Sequence, residues 1–111
     1  MGATKNNLFS DEQNAMAGIA KALGHPARIA IIEHLCKSLE CVNGGLVEVT
    51  GLSQSTVSQH LKELVSAGIL ESRGNGASVC YCIHPEVWIE IKTRLYCFFY
   101  SHPIGNDKTC N

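Results

Sequence analysis

No stretch of this chain is apolar for long enough to cross a bilayer, and its opening residues, MGATKNNLFSDEQN, contain no apolar secretory core. Membrane insertion and export are set aside, and a cytoplasmic protein is expected. Positive charge is not in excess either: 9 Lys and Arg stand against 10 Asp and Glu. That balance excludes a uniformly basic nucleic-acid coat, though not a local patch that a dimer would double. Also missing are a Gly-rich phosphate loop, a zincin motif and a nucleophile elbow, so no enzyme signature is present. Cysteine, by contrast, is abundant, with 6 in 111 residues. In a reducing compartment these are thiols, which points to core packing, metal binding or redox sensing rather than a disulfide framework.

The length fits a single domain spanning 1–111, with an ordered core over 10–102 and flexible ends at 1–8 and 104–111. The organising stretch is LSQSTVSQHLKELVSAG, Leu52 to Gly68. Ser53 is a helix N-cap, and Val57, Leu61, Leu64 and Val65 recur at helical spacing on one face. Gly68 can close the helix in the left-handed conformation. The opposite face carries Gln54, Ser55, Thr56, Ser58, Gln59 and His60, all without a carboxylate. A solvated face ordinarily mixes Lys with Glu. Neutral donors and acceptors at the positive end of a helix dipole suit phosphates and base edges in a major groove.

Upstream, Ser10 and Gln13 form a capping-box pattern, and the following helix carries Met16, Ile19, Ala20 and Leu23 before Gly24. His25 and Pro26 open a second helix, whose stripe is Ile29, Ile32, Leu35, Cys36 and Leu39, with Cys36 expected inside. A short helix bearing Leu46, Val47 and Val49 leads through Gly51 to the capped helix, a helix-turn-helix arrangement. After Gly68 the period changes. Ile69 to Ser72 and Ser78 to His84 read as two strands joined by a Gly74-Asn75-Gly76 turn, with Arg73 at the tip. A last helix from Pro85 carries Val87, Trp88, Ile91, Leu95 and Phe98, with Tyr96, Phe99 and Tyr100 on other sides. One small domain cannot cover that much apolar surface, so this helix and the first are expected to form a dimer interface.

Three segments, KALGHPARIAIIEHL (Lys21 to Leu35), LSQSTVSQHLKELVSAGIL (Leu52 to Leu70) and GNGASVCYCI (Gly74 to Ile83), resemble the ArsR/SmtB family of bacterial winged-helix repressors. The resemblance implies a mainly α fold with a small β-hairpin: five helices plus a two-stranded wing, paired through the first and last helices. It further implies a homodimer on a double-stranded operator with dyad symmetry, released by a small inducer. Gln54, Ser55, Ser58 and Gln59 are then expected at the bases, with Ser53, Thr56, His60, Lys62 and Arg73 nearer the phosphates.

The inducer site departs from the family pattern. Many members carry a Cys-x-Cys pair in a segment like ELCVCDL, whereas this chain reads Glu40-Cys41-Val42-Asn43-Gly44-Gly45-Leu46. The zinc-binding pattern on the last helix is also absent: Pro85, Glu86 and Val87 occupy its first part, and no later His pair follows. Instead, Cys80, Cys82 and His84 alternate on one face of a strand, about 7 Å apart from one to the next. Cys41 adds a third thiol if the short helix lies near the wing base. Three thiolates suit As(III) or Sb(III), a set including His84 suits zinc, and zinc or cadmium at the thiolates is a further candidate inducer. Oxidation of the same thiols is the other sensing chemistry. Against both stands a purely structural role for these cysteines, and against DNA binding a winged helix used only for protein contacts. Cys97 is expected to pack in the core or interface, and Cys110 falls in the polar tail.

Overall fold

The structure, a computed structural model, describes residues 8–38, 40–74 and 78–104. Five helices and one hairpin follow in order: α1 (Asp11–Leu23), α2 (Pro26–Lys37), α3 (Leu46–Thr50), α4 (Gln54–Ser66), β1 (Leu70–Arg73), β2 (Cys80–Ile83) and α5 (Pro85–Ser101). No helix among the described residues is long and apolar enough to cross a membrane.

Four of the helices start where a side chain satisfies an orphan amide. The Gln13 amide donates to Ser10 Oγ and the Ser10 amide to Gln13 Oε1, both at 3.0 Å, closing a capping box on α1. His25 Nδ1 accepts from the Ala27 amide at 3.0 Å, and Pro26 occupies the first turn of α2, where no amide is needed. Ser53 Oγ accepts from the Thr56 amide at 3.3 Å to open α4. Gly68 follows α4 at φ 83°, the left-handed conformation expected there. His84 caps α5 by accepting from the Val87 amide.

The core lies between α2, α4, the base of the hairpin and the first half of α5, with Ile31, Leu64, Ile69 and Val57 fully buried. The α2 stripe is set differently from the sequence expectation. Ala27, Ile31, Ile32 and Leu35 are buried, while Ile29 and Cys36 are exposed and Leu39 lies outside the described residues. Glu33 and Lys37 mark the outer side of α2, but apolar residues flank them on both sides, so periodicity alone does not choose which flank turns inward; contact with α4 does. On α1, likewise, Ala22 rather than Ala20 faces inward, and Val49 on α3 is exposed. Arg94 holds α1 and α5 together, pairing with Glu12 at 2.7 Å and Glu90 at 3.2 Å.

β1 and β2 pair antiparallel with Leu70 opposite Ile83, Glu71 opposite Cys82, Ser72 opposite Tyr81 and Arg73 opposite Cys80. Asn75 and Gly76 of the expected turn lie outside the described residues. β2 has a second neighbour. Val42, ahead of α3, exchanges both backbone hydrogen bonds with Tyr81, each 2.8 Å. The segment entering the helix-turn-helix is thereby stitched to the wing.

Candidate nucleic-acid interface and thiol cluster

The first two turns of α4 present Gln54, Ser55, Thr56, Ser58 and Gln59 to solvent, with Lys62 one turn further on. Beneath them Val57, Leu61 and Leu64 anchor the helix in the core. The polar face is internally organised: Gln54 Nε2 donates to Ser58 Oγ at 3.1 Å, and the hydroxyls of Ser53, Ser55 and Thr56 cluster at 3.0–3.2 Å around the cap. Together they form a strip of exchangeable hydrogen-bonding groups at the positive end of a helix, free of negative charge through Lys62.

His60 does not belong to that strip. It is 8% exposed, its Nδ1 accepts from Arg28 Nε at 3.1 Å, and its ring lies 4.4 Å from that of His25. The expectation of a phosphate contact is corrected accordingly: the imidazole points into the protein, on the face of Val57, Leu61 and Leu64. Burial, together with the neighbouring His25 and Arg28, holds His60 below the ordinary histidine range. Nothing in the sequence singles out its partner, Arg28. This arginine also donates to the carbonyls of Lys21 and Ala22, closing the end of α1. Arg73 is exposed on the wing, as expected, but its guanidinium pairs with Glu71 at 3.0 Å.

The thiols assemble from β2, which carries Cys80 and Cys82, and from the segment bridged to it at Val42, which carries Cys41. In the register set by Val42 and Tyr81, Cys41 falls opposite Cys82, and the two Sγ atoms are hydrogen-bonded at 2.8 Å. When Cys41 is ionised, hydrogen bonds from Cys82 first and Cys80 second stabilise the thiolate. Arg73 adds attraction, and the set holds Cys41 below the ordinary thiol range despite its burial. Cys82 is pushed up to about 11, by burial first and then by its bond to Cys41. Burial also raises Cys80. An open groove of about 540 Å³ beside the pair is lined by Cys36, Cys41, Arg73, Cys82, Trp88 and Ile89.

His84 stands apart from the thiols. Its Nδ1 caps α5 and its Nε2 faces Glu71 at 3.4 Å, so neither nitrogen is directed at a shared ion. Among the described residues no three His, Cys, Asp or Glu side chains are arranged to hold a metal ion. Cys36 and Cys97 are exposed in the single chain, so neither fills the core; Cys110 lies outside the described residues.

The hairpin, the short α3 and the polar-faced α4 form a winged helix-turn-helix, and known proteins share it. Residues 25–72 match the model of the family described as bacterial regulatory protein, arsR family. The HTH-type transcriptional regulator YgaV of Escherichia coli (strain K12) is 36% identical over 70 residues, covering 63% of this chain and 71% of that protein. The biofilm growth-associated repressor of Xylella fastidiosa (strain Temecula1 / ATCC 700964) is 31% identical over 86 residues, covering 78% and 75%. This chain belongs to the ArsR family.

Solved structures agree with that placement. The transcriptional repressor BigR from Xylella fastidiosa superposes with a TM-score of 0.59 at 30% identity, covering 78% of this chain and 88% of that one. HlyU from Vibrio cholerae N16961 gives 0.63 at 30% identity, covering 80% and 99%. The fold expected from the resemblance, five helices with a two-stranded wing, is thus the one found. ArsR-family proteins are DNA-binding transcriptional regulators and not enzymes, which accords with a chain whose sequence carries no catalytic motif.

Proposed function

We propose that this ArsR-family protein is a cytoplasmic repressor that binds, as a homodimer, a duplex operator with dyad symmetry, and that chemistry at the Cys41, Cys80 and Cys82 thiols releases it. The observation that carries the reading is the exposed, carboxylate-free strip from Ser53 to Gln59 on a helix whose opposite face is locked into the core. Gln54, Ser55, Ser58 and Gln59 are assigned to base edges, and Ser53, Thr56, Lys62 and Arg73 to phosphates.

Pairing is supported by what one chain leaves uncovered. Tyr96, Phe99 and Tyr100 on α5 are 68%, 69% and 74% exposed, next to an α1 whose Met16, Ile19 and Leu23 are only half-buried. A second copy is the occupant that fits, because a regulator of a palindromic site needs two identical reading heads about one helical turn apart. The test is operator selection from a random duplex pool, followed by light scattering and anisotropy at fixed salt. A two-fold symmetric site and a dimeric mass are expected. Tyr96→Glu with Phe99→Glu is expected to give a folded monomer that binds the selected site at least tenfold more weakly. A monomeric wild type, or a selected pool with no sequence preference, overturns the proposal.

A further inference from the structure

We infer that Cys41 and Cys82 form a reversible dithiol–disulfide pair whose oxidant is a hydroperoxide, and that the bond fixes the entry of the helix-turn-helix against the wing. The identity of the pair stands on geometry alone; its effect on DNA rests on the repressor reading above.

Strand register provides the first argument. Because Val42 and Tyr81 exchange both of their backbone hydrogen bonds, the next opposed pair, Cys41 and Cys82, is a non-hydrogen-bonded one. Such pairs bring Cα atoms to about 4.5 Å with side chains close, inside the Cα range that disulfides span. The second argument is the sulfur separation of 2.8 Å. Two thiolates that share a tetrahedral zinc at about 2.3 Å each sit roughly 3.8 Å apart, so an ion of that size would have to force this pair open. A disulfide, at about 2.05 Å, requires the sulfurs to close by only about 0.8 Å. Together with the absence of a three-ligand set among the described residues, this favours a bond over an ion.

The chemistry divides between the two residues. Cys41, the more readily ionised thiol, faces an open groove with Arg73 beside it. Its thiolate attacks one oxygen of a hydroperoxide: an S–O bond forms, the O–O bond breaks, and the departing alkoxide takes a proton and leaves as an alcohol. Cys82 stays protonated while Cys41 is charged, because it donates to that charge. Once Cys41 is a neutral sulfenic acid, both the donation and the repulsion are gone. Cys82 then gives up its proton and attacks the sulfenic sulfur; the S–S bond forms and hydroxide leaves with that proton as water. Two thiols and one hydroperoxide become a disulfide, an alcohol and water.

The reduced full-length chain, treated with stoichiometric cumene hydroperoxide, provides the test. The expected product has lost two thiols and about 2 Da, with a peptide map joining Cys41 to Cys82. C41S should form no such link, and C82S should stop at a sulfenic acid that dimedone traps on Cys41. A link that instead joins Cys36 or Cys97, within or between chains, overturns the inference. So does stoichiometric protection of Cys41 and Cys82 by zinc or arsenite from a chain that peroxide leaves unlinked. The oxidised chain is expected to bind its operator at least tenfold more weakly, reversibly with dithiothreitol; unchanged affinity overturns the regulatory output. Mass and mapping need no DNA, so a chain that forms the link yet ignores duplex refutes the repressor reading alone, and one that binds duplex without forming it refutes this inference alone.

Discussion

Arg28 Nε donates to His60 Nδ1 across 3.1 Å, joining the start of α2 to the underside of α4. The same guanidinium closes the carbonyl end of α1, so a single side chain ties three helices together. Arg28→Ala leaves the His60 nitrogen buried without a donor and is expected to cost about 1–3 kcal/mol. Urea denaturation compared with wild type measures it.

The same pairing makes stability depend on pH. The folded state holds His60 below its ordinary value, because burial, His25 and Arg28 all disfavour the imidazolium. As pH falls through about 6.5 the unfolded chain takes up this proton first, so stability is full above that value and declines below it. His60→Gln is expected to flatten the decline. The check is the urea midpoint followed from about pH 8 down to pH 5, across the range in which histidine titrates.

On the exposed face of α4, stability and recognition separate. Ser53→Ala removes the cap and should cost about 1 kcal/mol of folding stability. Gln54→Ala with Ser58→Ala removes two exposed groups bonded to each other. It should leave folding stability within about 0.5 kcal/mol of wild type. Operator affinity should fall by about 1–3 kcal/mol for each base edge that is no longer read. Anisotropy titration at fixed salt, run beside thermal unfolding, distinguishes the two effects.

Gly74 ends β1 at φ 90°, and a Cβ placed there would stand 2.5 Å from the Ser78 carbonyl oxygen. Both the backbone conformation and the close approach require glycine. Gly74→Ala is expected to destabilise the chain by about 1–3 kcal/mol. The thermal midpoint should fall, and amide exchange should quicken at Ser72 and Cys80 before it does in α4.

Much of this architecture is legible in the sequence because it is local. The Ser10, His25 and Ser53 caps, the left-handed Gly68 and the polar strip of α4 each depend on residues within a turn of one another. His60 is harder to place, although the sequence holds a signal: at positions 57, 60, 61 and 64 it continues the buried stripe. Its polar chemistry argues for the outer face, and its position on the helix decides for the inner one. The face of α2 is only partly legible: Glu33 and Lys37 mark its outer side, but which of the flanking apolar residues, Ile29 and Cys36 or Ala27 and Ile31, turn inward is decided by its neighbours. The approach of Cys41 to Cys82 is not legible, since it depends on one residue, Val42, pairing with a strand far along the chain. A single β-branched residue so close to two glycines carries no strand periodicity.

The ladder through Tyr81 has an architectural consequence. With β1 along one edge and the Val42 bridge at Tyr81 on the other, β2 is held from both sides, and the hairpin is no detachable appendage. Trimming it would also unmoor the linker that feeds the helix-turn-helix. Grafts of the helical pair onto other scaffolds should therefore carry the hairpin with them.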